Sequence, residues 1–231
     1  MSQIDNEKEE GKMKKKNQRS LWIMLGVLFL FGAWTLAVTK VDLQAIGPKG
    51  SVVGFATINR AFHEWTGVHM WLYEMTDWLG LVPIIVVLGF GVLGLIQLIK
   101  RKNLFKVDSD ILILGAFYIL VMIAYVIFEI FVINYRPVLI EGRLEASYPS
   151  STTLLVLCVM PTAMIQFNNR IKNVALRKVT VVSISLFITF MVVGRLVSGV
   201  HWITDIVGGA LLSIGLVMLY QRMTKMFRKA N

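Results

Sequence analysis

The sequence predicts an all-α integral membrane protein, a bundle of six spanning helices with an interfacial helix at the outer surface between the first two. Three observations predict it. Hydrophobic residues make up 56% of the 231 residues, where soluble domains hold roughly 45–50%. Six apolar runs, near 21–39, 80–99, 111–134, 153–167, 179–197 and 203–220, approach the roughly 20 residues that a helix needs to cross hydrocarbon. Eighteen of the 24 Lys and Arg residues fall before, between or after these runs on the side that carries both termini. Cytoplasmic loops are enriched in such residues, so both termini are expected inside the cell membrane, with loops 40–79, 135–152 and 195–202 outside.

The expected organisation is a basic cytoplasmic tail over 1–20, a membrane domain over 21–220 and a second basic tail over 221–231. The first run is long and five more follow, so it reads as an uncleaved anchor rather than a signal peptide. Gly47, Pro48, Gly50 and Gly54 then break the chain. Phe62, Trp65, Val68, Trp71, Leu72 and Met75 recur at helical spacing, which predicts the interfacial helix, with tryptophans at headgroup depth. His63 and His69 on it are expected as hydrogen-bonded surface groups. Gly89, Gly91 and Gly94 in the second run, with Gly208 and Gly209 in the sixth, suit close helix packing. The third run is read as helical through Glu129 to Asn134, just before Tyr135-Arg136-Pro137. The fourth is short and follows Tyr148-Pro149-Ser150-Ser151-Thr152-Thr153, a Ser/Thr-rich start that caps backbone N–H groups and attracts anions. The single cysteine, Cys158, excludes an internal disulfide framework and reads as a small core residue.

The net charge of +10 lies mostly in segments flanking the runs. No basic face is interleaved with aromatics, so nucleic-acid binding is not expected. The sequence implies no cofactor and no metal, and leaves the oligomeric state open.

The fifth and sixth runs are joined by Gly194-Arg195-Leu196-Val197-Ser198-Gly199-Val200-His201-Trp202-Ile203-Thr204-Asp205. Ionisable groups at a membrane boundary are costly to hold near lipid and point to a site. On a helix, His201 and Asp205 share a face one turn apart, so the carboxylate is placed to fix the imidazole tautomer. Arg195 and Arg136 offer planar forks of N–H donors to a phosphate. With the Ser/Thr-rich helix start, these segments form a plausible phosphate cradle on one side of the membrane, with a histidine as candidate nucleophile. Asn134 and Tyr135 either line it or are interface residues, and the sequence does not choose between the two; Glu141, Arg143 and Glu145 of the same loop are expected to be solvated.

This pattern resembles the type 2 phosphatidic acid phosphatase family of membrane lipid phosphatases. Arg136-Pro137 matches the end of the family's first motif, Pro149-Ser150 the start of its second, and Arg195, His201 and Asp205 its third at the family's spacing. The resemblance implies a six-span phosphatase without metal, acting on a phosphorylated lipid. It implies that His201 attacks phosphorus to form a phosphohistidine and that Asp205 orients it. It further implies that Arg136, Arg195 and Ser150 hold phosphoryl oxygens, with Ser151 and Thr152 beside them at the helix start. The chain departs from the pattern at four positions: Glu129 stands for the family lysine, Ser151 for the glycine, Thr152 for the second histidine and Gly194 for a serine.

Thr152 has no proton to give near neutral pH, and loss of a general acid costs roughly 10²–10⁴-fold. Three accounts follow. A diphosphate, whose leaving group is itself a phosphate, needs the acid less than phosphatidate does, which favours a polyprenyl diphosphate. Glu129, expected two helical turns before Arg136 on the same face, would serve as the acid or pair with an arginine. Alternatively the chain is catalytically impaired, binding a phosphorylated lipid or regulating a partner.

Overall fold

The computed structural model describes residues 3–230. Its α-helices are α1 (Gln3–Val38), α2 (Ala56–Thr66), α3 (Met70–Leu79), α4 (Leu81–Arg101), α5 (Ser109–Ile130), α6 (Ser151–Arg170), α7 (Val174–Val197) and α8 (Ile203–Ala230). Six stretches among the described residues are long and apolar enough to cross a membrane: Lys15–Val38, Met70–Arg101, Ser109–Ile130, Ser151–Arg170, Val174–Val197 and Ile203–Phe227. The protein is therefore an all-α membrane bundle, as the hydropathy pattern predicts.

α6 and α8 form its centre. α8 packs along α1 and α6, and α7 packs along α6. Leu154, Cys158, Val159 and Ala163 of α6 meet Leu114, Phe117 and Val121 of α5 and Leu212, Leu216 and Tyr220 of α8 in one apolar cluster. Burying such side chains contributes about 1.5–3 kcal/mol each in water. Between spans in lipid, close packing matters more than that transfer term. Outward-facing residues such as Phe29, Ile85, Leu88 and Leu186 remain exposed, as lipid-facing positions should. Cys158 is a buried, unpaired core residue, as expected.

Two expectations are corrected. The predicted interfacial helix is two elements: α2, and α3, which runs through Gly80 into α4 as the head of the second span. A helix-start periodicity cannot distinguish an interfacial helix from an amphipathic end of a spanning one. Nor does α2 merely rest on the surface. Its buried Asn59 donates to Thr204 Oγ1 (3.0 Å), tying it to the start of α8, while Trp65 stays exposed. Second, helix α5 stops at Ile130, although the apolar run continues; Phe131 takes φ −96° and ψ 78°.

The glycines of the sixth span do permit close approach. A Cβ at Gly208 would lie 2.5 Å from the Tyr148 ring, and at Gly209 3.3 Å from the Ser150 carbonyl oxygen. In the second span only Gly94 is so crowded; Gly89 and Gly91 face open space.

Candidate active site

Two irregular segments carry the site. Between α5 and α6 the chain folds on itself through antiparallel bridges Tyr135–Ala146 and Ile140–Arg143. The Arg136 N–H donates to the Glu145 carbonyl (3.1 Å) and the Ser147 N–H to the Asn134 carbonyl (2.9 Å), so Arg136 and Ser147 are held on one small ribbon. Between α7 and α8, Gly199 has φ +72°, and a Cβ there would come within 2.0 Å of the Gly67 carbonyl oxygen. Only glycine satisfies both demands. That turn delivers His201 against the ribbon.

His201 is buried, and Asp205 is fully so. They do not touch as the helical spacing suggested. His201 Nδ1 and Asp205 Oδ2 are 3.8 Å apart, and the Ser147 hydroxyl bridges them, 3.0 Å from Nδ1 and 2.5 Å from Oδ2. Helical spacing overstates the contact because His201 precedes the first turn of α8. Asp205 Oδ2 also accepts from the Trp202 N–H (2.9 Å), capping that helix, and Oδ1 accepts from Asn134 Nδ2 at 3.5 Å. Asp205 therefore accepts from three donors. The single Ser147 proton goes to it, so the Ser147 oxygen accepts from Nδ1–H. This network assigns the tautomer: Nε2 carries the lone pair. Nε2 is buried with no hydrogen-bond partner. Burial, and then the charges of Arg136 and Arg195, push the His201 pKa well below the ordinary 6.5, so the imidazole stays neutral.

Both arginines stack on one ring. Arg195 Cζ lies 4.9 Å and Arg136 Cζ 5.5 Å from the centre of Tyr73, on α3. Arg195 Nη2 donates to Asp77 Oδ1 (2.8 Å) and to Thr152 Oγ1 (2.5 Å). Arg136 Nε is 3.2 Å from Glu145 Oε2 without hydrogen-bonding geometry. Nε and Nη1 of both arginines are buried without hydrogen-bond partners. Native proteins seldom leave buried donors empty. Among the described residues, His201 Nε2 and four guanidinium nitrogens thus stand buried without a hydrogen-bond partner.

The other predicted residues take different places. The Ser150 hydroxyl caps α6, accepting from the Thr153 N–H (3.5 Å) and the Thr153 hydroxyl (3.0 Å). Thr152 occupies a proton of Arg195. Ser151 and Thr152 line the top of an apolar groove with Tyr118, Val121 and Tyr125. Glu129 is exposed in the last turn of α5 and lines a narrow pocket with Ser147 and Ser151. Since α5 ends one residue later, Glu129 does not stand two helical turns below Arg136. It forms no ion pair among the described residues. Glu145, expected to be solvated, is the partner of Arg136. Asn134 joins the site through Asp205, and the Tyr135 carbonyl accepts from Trp202 Nε1 (2.8 Å).

His69 is a hydrogen-bonded surface group, with Nε2 2.9 Å from the Thr66 carbonyl oxygen. His63 packs against Trp202, ring centres 5.5 Å apart, and burial lowers its pKa. Its Nδ1 has no hydrogen-bond partner, contrary to expectation. Sequence reasoning missed Ser147, Tyr73 and Asp77. No spacing signal links them to His201 or Arg195; only the tertiary fold does.

Residues 110–229 match the PAP2 superfamily. The chain belongs to that superfamily. The matched segment holds His201, Asp205, Ser147 and both arginines, whereas Tyr73 and Asp77 come from outside it. A transmembrane PAP2-type phosphatidylglycerolphosphate phosphatase from Bacillus subtilis has a similar structure, with a TM-score of 0.63. The two are 15% identical, over 88% of this chain and 96% of that one, so the likeness concerns the fold. No match is found among curated proteins. The superfamily's membrane fold is thus that of a lipid phosphatase in general.

Proposed function

We propose that this protein hydrolyses a phosphate from a lipid phosphate or diphosphate, a polyprenyl diphosphate in preference to phosphatidate, at the outer face of the cell membrane. His201 Nε2 attacks phosphorus, and water then hydrolyses the phosphohistidine. Arg136 and Arg195 stabilise the charge that develops on the phosphoryl oxygens. Carrying this reading is the buried Nε2 lone pair together with guanidinium nitrogens that have no hydrogen-bond partner among the described residues. The apolar groove supports a lipid. It starts at Ser151 and Thr152 and, through Val87, Tyr118 and Met122, meets a larger groove of about 980 Å³ between α4 and α5. The outward orientation follows from the Lys/Arg asymmetry.

The preference for a diphosphate rests on Thr152. Its hydroxyl is bound to Arg195 and supplies no acid, so a leaving group that needs no proton is favoured. The same observation favours a second reading, a catalytically impaired member that binds phosphorylated lipid or regulates a partner. Phosphate release in detergent from polyprenyl diphosphate and phosphatidate, with His201→Ala as control, separates the two. Release equal in wild type and control rules out the enzyme. Equal turnover of both substrates removes the leaving-group preference. Unchanged turnover in Glu129→Gln excludes that residue as the acid.

A further inference from the structure

We propose that Ser147 is a positioning residue of this reaction, a hydroxyl relay that fixes the nucleophilic tautomer of His201 and passes its proton to Asp205. The proposal rests on the phosphohistidine reading above.

Three distances carry it. The direct His201–Asp205 approach is 3.8 Å, too long for a hydrogen bond, while the Ser147 oxygen lies within hydrogen-bonding distance of both. All three side chains are buried, so water does not compete for these groups. Ser147 is itself fixed by its backbone N–H on the Asn134 carbonyl, and Asn134 also reaches Asp205. The hydroxyl is thus placed by the same ribbon that presents Arg136.

The proton balance follows. The Nε2 lone pair bonds to phosphorus, and the bond from phosphorus to the leaving oxygen breaks, its electron pair departing with that oxygen. The Nδ1 proton passes to the Ser147 oxygen as the Ser147 proton passes to Asp205 Oδ2. The result is a neutral phosphohistidine ring, an intact hydroxyl and a protonated carboxyl. In the second half, water bonds to phosphorus and the phosphorus–Nε2 bond breaks, its pair returning to Nε2. The Asp205 proton returns through Ser147 to Nδ1, and dihydrogenphosphate leaves with both protons of the water.

The chain has three histidines, so ¹⁵N-histidine NMR in detergent can report the His201 tautomer, with His201→Ala giving the assignment. Wild type should show Nδ1 protonated and Nε2 bare. Ser147→Ala should lose that single tautomer and about 100-fold in kcat on polyprenyl diphosphate, with KM within about twofold. Ser147→Thr and Ser147→Val, near-isosteric with and without a hydroxyl, repeat the test should the alanine variant misfold: threonine should keep the tautomer and valine should not. A hydroxyl-free variant that is folded and keeps the wild-type tautomer overturns the proposal. So does one that turns over as fast as wild type, or a threonine variant as impaired as valine. Wild type that releases no phosphate overturns the phosphatase reading and the relay with it. Wild type that releases phosphate no faster than folded Ser147→Ala overturns the relay alone.

Discussion

The two ends of the bundle both gather arginines and carboxylates, and they differ in what is left over. At the end away from His201, Arg101 binds Asp108 and Arg170 binds Asp110, each at 2.8 Å. Gln97 exchanges two hydrogen bonds with Asp108. Gln166 donates to Tyr220 (2.8 Å) and accepts from Arg170. None of these groups is among the buried atoms without a partner. At the His201 end, five buried nitrogens of Arg136, Arg195 and His201 have none. The polar groups at the far end meet one another, whereas the His201 end keeps buried nitrogens without hydrogen-bond partners.

Substitutions at the two ends should therefore diverge. The largest effect is expected at Arg195→Lys, which keeps the charge but loses the fork. Its turnover should fall about 10²–10³-fold, measured as phosphate release. A change of only a few-fold would make Arg195 equivalent to the arginines at the far end. Next comes pH. An ordinary imidazole at pH 5.5 is about 90% protonated and would lose about tenfold in rate. Because the His201 pKa is pushed below 6.5, the loss of kcat/KM from imidazole protonation should set in at lower pH than it would for an ordinary imidazole. The linked stability has a definite sign. The unfolded chain takes up a proton near 6.5 and the folded chain does not, so this contribution is full above 6.5 and declines as pH falls below it.

Smaller effects sharpen the contrast. Asp77→Asn removes an exposed carboxylate from Arg195 and should lower KM about two- to fivefold; a raised KM would mean that Asp77 holds Arg195 in place for substrate. Arg170→Ala should lower stability by about 1 kcal/mol or less, read as a lower melting temperature, and leave kcat of the folded protein unchanged. A fall in kcat there would couple the two ends.

The sequence made the bundle legible because spanning helices announce themselves by length and hydropathy, independently of their neighbours. It made His201, Asp205 and Arg195 legible because they sit within one twelve-residue stretch. What it hid was set by contacts between distant segments. Tyr73 lies more than a hundred residues before Arg195 yet forms the floor for it. Ser147 enters between two residues that sequence spacing placed side by side. Glu129 was misplaced because Phe131-Val132-Ile133 reads as helix by hydropathy, while its continuation is captured by the Tyr135–Ala146 bridge.

The carboxylate of Asp205 also closes the first turn of α8 through the Trp202 N–H. One side chain thus anchors a scaffold and, in the proposed reaction, takes up the relayed proton. A survey of damaging variants that scores only abundance will file it under folding, and one that scores only turnover will file it under chemistry. The two scores must be read together at this position.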